Sequence, residues 1–276
     1  MHISVVITTY NQPEWLEKVL WGFSVQEWRD FEIVIADDGS GPATRELLDA
    51  LRPRLGVALR HVWHEDTGFR KCEILNKAIL AAEGDYLVFT DGDCIPRRDF
   101  LTVHAEQAEV GRFLSGGYLK LPLATSRRIG REDILAGRAT DYRWLRANGV
   151  PFSRRSVRLA LGGRVARLLD RLTPTRASWN GHNASAWRSD LVAVNGFEER
   201  MGYGGLDREL GERLENAGIR GKQIRHRALV VHLEHGRGYR NEAVLRANRE
   251  IRREVAETGR TRAVVGLDRH LSGSRA

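Results

Sequence analysis

Cysteine is scarce in this sequence: Cys72 and Cys94 are the only two in 276 residues. That is too few for a disulfide scaffold and suits a reducing compartment. No apolar run approaches the ~18 residues that cross a bilayer, which argues against a transmembrane helix. The opening Met1-His2-Ile3-Ser4-Val5-Val6 lacks a basic segment followed by an apolar one, so no signal peptide is expected. Two nucleotide fingerprints are also missing. No Gly-x-Gly-x-x-Gly follows the first strand pattern, and no Gly-x4-Gly-Lys-Ser/Thr occurs anywhere, which argues against a dinucleotide dehydrogenase and a P-loop NTPase. No internal repeat or low-complexity segment is visible. What remains is 42% hydrophobic and 29% charged, a composition that fits a folded chain and excludes a disordered one. The length fits one large or two small domains. Together these features predict a cytoplasmic globular protein.

The charge is unevenly placed. The formal net charge is +8, yet positions 127–176 hold 13 arginines, no lysine and 4 acids (Glu132, Asp133, Asp141 and Asp170), a net +9. Everything else sums to about −1. A basic patch of this kind calls for an anionic partner: nucleic acid, an acidic lipid surface or a phosphorylated substrate.

The first hundred residues alternate strand and helix patterns. Positions 3–9, 31–36, 57–63 and 85–90 are rich in β-branched and aromatic residues, as in strands buried on both faces of a parallel sheet. Between them lie helical stripes: Leu16, Val19, Leu20 and Phe23; Leu47, Leu48 and Leu51; Ile74, Leu75, Ala78 and Ile79. Short links between such units predict right-handed crossovers and one parallel sheet. In the basic stretch, Val157, Leu161, Val165, Leu168 and Leu172 recur at helical spacing beside Arg164, Arg167 and Arg171. That pattern predicts a basic amphipathic helix, weakened by Gly162-Gly163. Further on come a helix over 206–217, a strand over 228–233 and a helix carrying Val244, Ala247, Ile251 and Val255. The tail from about 261 is expected to fray. Four regions result: 1–121, the basic insertion 122–177, 178–260, and 261–276.

Ligands of open α/β sheets bind beyond the carboxyl ends of the strands. Three strand ends here are polar: Thr8-Thr9-Tyr10-Asn11, Asp37-Asp38-Gly39-Ser40 and Asp91-Gly92-Asp93. Two carboxylates flanking a glycine can reach one divalent ion that also bridges diphosphate oxygens. An H-x-x-H pair, His232 and His235, ends the 228–233 strand. It invites a zinc reading, but no cysteine or third histidine is near enough to complete that site.

These residues resemble a known family. Val5-Val6-Ile7-Thr8-Thr9-Tyr10-Asn11, Ile35-Ala36-Asp37-Asp38-Gly39-Ser40, Gly68-Phe69-Arg70 with Asn76-Lys77-Ala78, and Gly84-Asp85-Tyr86 leading to Asp91-Gly92-Asp93 are similar to the donor-binding half of family 2 glycosyltransferases. A second block runs from Gly181-His182-Asn183-Ala184-Ser185-Ala186-Trp187-Arg188 through Asn195-Gly196-Phe197-Glu198-Glu199 to Gly202-Tyr203-Gly204-Gly205-Leu206-Asp207. It resembles the acceptor half of β-1,4-galactosyltransferases. The two blocks cover about two thirds of the chain, and the 122–177 stretch lies outside them.

The resemblance implies a GT-A fold: a Rossmann-like α/β sheet, mostly parallel and flanked by helices, here with a helical arginine-rich insertion. It implies a UDP-sugar donor, with Asp38 on the uracil N–H, Thr8, Thr9 and Tyr10 around base and ribose, and Arg70 near the phosphates or sugar. Asp91 and Gly92 would also contact the nucleotide sugar, and Asp91-Gly92-Asp93 would carry the metal ligands. Asp93, helped by Asp91, would hold Mn2+ or Mg2+ on the diphosphate, and a histidine after the 228–233 strand would complete the coordination. His232 is favoured there over His226 and His235, and an imidazole ligand would tilt the choice toward Mn2+. Asp207 would be the general base, ionised at neutral pH by the dipole of the helix it opens. Gly202–Gly205 would be a flexible segment closing over the donor. A single base implies inversion at the anomeric carbon. Where family members carry an acid before the base, this sequence has Leu206. Trp179, His182, Asn183 and Gly205 would face the acceptor, with Trp179 rather than Trp187 stacking on a sugar.

The expected reaction is transfer of a hexose or N-acetylhexosamine to a hydroxyl of a glycan, free or lipid-linked, in lipopolysaccharide or another bacterial surface polysaccharide. The arginines of the insertion could cover the core, dock on the inner face of the cytoplasmic membrane, or read a phosphorylated acceptor. Nucleic acid is not expected as a partner, because no zinc finger or aromatic-interleaved RNA motif accompanies them. Two other classes fit less well. A sugar nucleotidyltransferase would need a glycine-rich, basic loop after the first strand, which is absent. A silent carbohydrate- or nucleic-acid-binding module would release no UDP.

Overall fold

The computed structural model describes residues 1–236 and 241–271. Its first half is a run of β-α units: β1 (Ile3–Thr9), α1 (Pro13–Ser24), β2 (Phe31–Asp37), α2 (Pro42–Leu51), β3 (Leu59–Trp63), α3 (Lys71–Ala81) and β4 (Tyr86–Asp91). Then come β5 (Cys94–Pro96), α4 (Phe100–Gln107), β6 (Arg112–Ser115) and β7 (Gly117–Lys120). The insertion holds α5 (Leu123–Arg128), α6 (Arg131–Leu135), α7 (Tyr142–Ala147) and α8 (Gly163–Leu172). The last part comprises β8 (Ala184–Trp187), α9 (Arg188–Ala193), α10 (Leu206–Asn216), β9 (Arg220–Gln223), β10 (Leu229–His232), α11 (Glu242–Thr258) and α12 (Asp268–Leu271).

Seven strands form the main sheet in the order β3-β2-β1-β4-β8-β6-β9, and β5-β10-β7 form a small second sheet. The β3-β2-β1-β4 part is parallel, as the short crossovers require, and β8 enters antiparallel between β4 and β6. Alternation along each strand feeds two apolar layers. Ile3, Val5 and Ile7 of β1, with Ile33 and Ile35 of β2, face a core closed by Leu16, Leu20 and Phe23 of α1. Val6, Val34, Leu87 and Phe89 face the opposite core, closed by Ile74, Leu75 and Ile79 of α3. This is the α/β architecture expected of the sequence.

Three local expectations fail. The single basic helix over 157–172 is broken: a 3-10 turn over Ser156–Ala160 and then α8, with Gly162 extended at the junction (φ −67°, ψ 150°). Adjacent glycines remove the side-chain contacts and backbone restriction that would carry a helix across them. The stretch 261–271 is docked rather than frayed. Leu267 is buried, and the Glu198 carboxylate accepts the backbone N–H groups of Val264 and Val265 at 2.8 and 3.3 Å. The end of the tail, 272–276, lies outside the described residues. The Gly202–Gly205 segment is pinned, because buried Asn248 of α11 donates to the carbonyls of Gly202, Tyr203 and Gly204 at 3.0, 3.2 and 2.7 Å. Among the described residues no helix is long and apolar enough to cross a membrane.

Candidate active site

The parallel register sets Thr8 beside Asp91 and Thr9 beside Asp37, so the polar ends of β1, β2 and β4 meet along one edge. A cleft of about 560 Å³ opens there, and among the described residues its carboxylates are Asp38, Asp91, Asp93 and Asp207. Thr8, Thr9, Tyr10, Gly92, His182, Gly205, His232 and His235 also line it. Sequence reasoning therefore gathers most of its candidates at one place. Their individual bonds differ more.

Asp38 closes β2 against a histidine that the sequence did not flag. Its Oδ1 lies 2.8 Å from His64 Nε2, and its Oδ2 accepts the Arg70 backbone N–H at 3.1 Å. Burial raises its pKa, with the His64 hydrogen bond opposing. Tyr10 donates its hydroxyl to Asp66 Oδ2 at 2.8 Å. The Thr9 hydroxyl oxygen is buried in the cleft wall with no hydrogen-bond partner among the described residues. The backbone is close at Gly92, where a Cβ would sit in tight contact, 3.0 Å from the Thr8 carbonyl oxygen.

Arg70 does not enter the cleft with its side chain. It pairs with Glu73 at 3.2 Å and with the Glu65 carbonyl. Arg70 is the cap of α3, and helical geometry turns the next side chain, Lys71, inward instead. Lys71 Nζ lies 2.7 Å from Asp91 Oδ1, which also accepts the Thr8 hydroxyl at 2.6 Å. Burial opposes both charges, but the pair holds Lys71 above and Asp91 below their ordinary pKa ranges. Asp207 also favours the lysine's charge. Lys71 escapes a sequence reading because nothing in Arg70-Lys71 tells which cation faces in. The only signal is its place directly after Gly68-Phe69-Arg70.

Asp91 thus stands in an ion pair with a lysine, and Asp93 is left to the histidines. The register of β10 against β5 sets His232 opposite Cys94, and the Leu233 N–H donates to the Asp93 carbonyl at 2.8 Å. His232 Nε2 comes within 3.7 Å of Asp93 Oδ2, and His235 Nε2 within 2.8 Å. The two imidazoles stack with centroids 5.7 Å apart. Asp93, Cys94 and His232 offer ligand atoms within 4.8 Å of one another. Burial pushes the Cys94 thiol well up, and its Sγ donates to Asp93 Oδ1 at 3.2 Å. One carboxylate with one or two imidazoles is a donor set that fits a divalent ion such as Mn2+. His226 does not join it, for its N–H and Nδ1 both engage Asp170 Oδ1 at 2.9 Å.

Asp207 sits in the first turn of α10, after Gly204 and Gly205 at φ +103° and +86°, conformations that favour glycine. Gly181 faces it so closely that a Cβ there would lie 2.6 Å from Asp207 Oδ1. That oxygen is buried and has no hydrogen-bond partner among the described residues. Burial pushes the Asp207 pKa up to about 6, with the Lys71 ammonium opposing. The helix dipole expected to keep it low is outweighed by desolvation, yet the group is still ionised at pH 7. Elsewhere in the cleft wall, burial pushes His182 down to about 4, leaving a neutral imidazole beside the Tyr118 ring, 4.5 Å between centroids.

Two acceptor-side expectations are corrected. Trp179 is 1% exposed, wedged edge-on against Phe89 and tilted against Phe113. It is a core residue and cannot stack on a sugar in the cleft. Asn183 is fully buried and donates to the carbonyls of Gly117 and Ala228 at 2.8 and 3.0 Å, joining the two sheets. The aromatic edge lining the cleft is instead Phe69 with Tyr203, perpendicular rings 5.8 Å apart.

Comparison with known proteins agrees with this fold. The profile described as Glycosyl transferase family 2 matches residues 4–128. A validoxylamine A glucosyltransferase of Streptomyces hygroscopicus subsp. jinggangensis is 29% identical over 225 residues, 79% of this chain and 52% of that protein. The chain spans about half the length of the curated relatives it matches first. Two solved structures share the fold. One is a mannosyltransferase from Pyrobaculum calidifontis in complex with GDP-Man and Mn2+ (TM-score 0.58, 21% identity, 90% of this chain and 60% of that one). The other is S. aureus TarS 1–349 in complex with UDP-GlcNAc (TM-score 0.59, 16% identity, 98% and 69%). Residues 4–128 thus match the family 2 glycosyltransferase profile, the first curated relatives are glycosyltransferases, and the solved structures share the GT-A fold of this chain. The profile match ends before 181–207, so the galactosyltransferase-like character of that block rests on its motif alone.

Proposed function

Taking that family match as the premise, we propose that the protein is an inverting glycosyltransferase, moving a hexose or N-acetylhexosamine from a UDP-sugar to a hydroxyl of a glycan acceptor. The observation that carries this reading is the uneven commitment of the cleft's four carboxylates. Asp38 is held by His64 and the Arg70 N–H, Asp91 by Lys71 and Thr8, and Asp93 by His235. Asp207 keeps a buried oxygen without a partner among the described residues, in the field of the Lys71 ammonium. An acceptor hydroxyl donating to that oxygen would satisfy it, and proton removal would follow as the hydroxyl attacks the anomeric carbon. With one carboxylate oxygen left open and no second nucleophile among the described residues of the cleft, attack is direct and the configuration inverts.

Asp38, Thr9 and Tyr10 lie where the nucleoside would bind, and the notched Gly92 lets a diphosphate approach the backbone. Asp93 with His232 and His235 would hold a divalent cation, which when bound neutralises charge on the departing diphosphate. Lys71 adds a fixed positive charge in the same cleft. The neutral His182 imidazole and Gly205 sit on the acceptor side. The UDP-GlcNAc and GDP-Man held by two structural neighbours support a nucleotide sugar as the donor class. A surface glycan such as lipopolysaccharide is the acceptor setting that we favour.

The test is Asp207→Asn assayed for transfer, beside a UDP titration in Mn2+. General-base assistance is worth ~10²–10⁴-fold, so transfer falls by that order while UDP affinity holds. Transfer within a few-fold of the parent would refute the assignment.

A further inference from the structure

The broken helix of the basic insertion presents an apolar face outward. In α8, Val165, Leu168 and Leu172 are 51%, 54% and 67% exposed. Spaced i, i+3 and i+7, they share one side of a helix that turns about 100° per residue. The buried side is made of Ala166 and Asp170. Asp170 fixes the rotation. Its Oδ1 accepts the His226 backbone N–H at 2.9 Å, and its Oδ2 accepts Arg227 Nε at 2.7 Å. The leucines are therefore turned to solvent by a buried polar anchor and do not pack inward.

Arg164, Arg167 and Arg171 border the same stripe, and all three are exposed and in no ion pair among the described residues. Other arginines of the insertion are engaged: Arg138 with Asp133, Arg176 with Glu215, and Arg131 over the Trp21 ring at 3.9 Å. An exposed leucine row is ordinarily covered by something, and the three arginines determine what. A second copy of this face would bring six unpaired guanidinium groups together, so self-association is disfavoured. A surface that is apolar beneath and anionic above matches both features at once.

We propose that α8 is an interfacial helix that seats the protein on an anionic phospholipid surface, Val165, Leu168 and Leu172 entering the acyl boundary and Arg164, Arg167 and Arg171 binding lipid phosphates. The helix lies in the interface plane and does not span it. The same anchor, His226-Arg227, leads directly into β10, whose last residue, His232, lines the cleft. The seat and the cleft are thus joined by one short strand, which suits an acceptor carried on a lipid. The proposal requires nothing of the transfer chemistry, so it stands or falls separately from the function proposed above.

The experiment is flotation of the whole protein with vesicles of phosphatidylglycerol and phosphatidylcholine, and with pure phosphatidylcholine. Binding is expected to the anionic vesicles alone and to weaken as salt rises from about 50 to about 500 mM, as screened attraction does. The triple variant Arg164→Gln, Arg167→Gln, Arg171→Gln should lower partitioning by roughly 100-fold, at about a factor of five per cation. Leu168→Ser with Leu172→Ser should abolish it. These positions are exposed, so both variants should keep the parent's thermal transition and UDP-induced shift, which separates lost docking from lost fold. Equal partitioning to both vesicle types, no binding to either, or a concentration-dependent dimer that Leu168→Ser with Leu172→Ser dissolves would each overturn the proposal.

Discussion

The buried Asp207 should make the folded protein less stable above pH 6, and its removal should show this. Its pKa rises from the ordinary 3.8 to about 6 on folding, equivalent to about 3 kcal/mol. The sign follows from which form burial disfavours. Below about pH 4 the carboxyl is protonated in both states and costs nothing by ionisation. Between pH 4 and 6 the unfolded chain ionises first, so native stability falls, and above pH 6 the whole penalty is present. An asparagine in its place would be neutral at every pH, and Lys71 would not be orphaned, because Asp91 stays 2.7 Å away. Asp207→Asn should therefore match the parent near pH 4 and exceed it by up to about 3 kcal/mol at pH 7.5. For a chain of this size that is roughly 6–12 °C in Tm. Thermal unfolding followed by circular dichroism, with EDTA present to keep cations out of the cleft, measures both proteins from pH 4 to 8. A Tm difference that does not change with pH, or a variant less stable at pH 7.5, would refute the reasoning. The same group should appear in the parent's transfer rate, which rises through pH 6 and levels above it.

Two further outcomes are expected. Asp93→Ala should abolish the extra thermal stabilisation that Mn2+ gives to the UDP complex, and equal stabilisation by UDP in EDTA and in Mn2+ would remove Asp93, His232 and His235 from that role. Lys71→Met should leave Asp91 uncompensated. Since the two side chains are only 21% and 26% exposed, the loss should reach about 2–3 kcal/mol by urea unfolding, and a loss below about 0.5 kcal/mol would show that the pair is a solvated one.

Much of the cleft was legible in the sequence because its makers are local. Residues such as Ile33, Val34 and Ile35 alternate between two cores whatever lies further along the chain. Such strands place their polar termini, Thr8-Thr9-Tyr10, Asp37-Asp38 and Asp91-Gly92-Asp93, at a common edge. The helix expected over 206–217 is present as α10, with Gly204 and Gly205 at positive φ immediately before it. What failed depended on contacts remote in sequence. Trp179 and Trp187 look alike as letters, and only the approach of Phe89 and Phe113 buries Trp179 to 1% exposure. Arg70 and Lys71 are neighbours, and the phase of α3 decides which one meets Asp91. The stripe in α8 predicted an amphipathic helix, but the Asp170 bonds to His226 and Arg227, more than fifty residues away, decide that its leucines face out. Asp207 shows the same division as an energy. Its place in the first helical turn is local and favours the charge, whereas desolvation comes from every element packed around it and raises the pKa to about 6. Periodicity and turn chemistry act within a few residues and can be read along the chain; burial, helix phase and the pairing of charges are properties of the packed molecule.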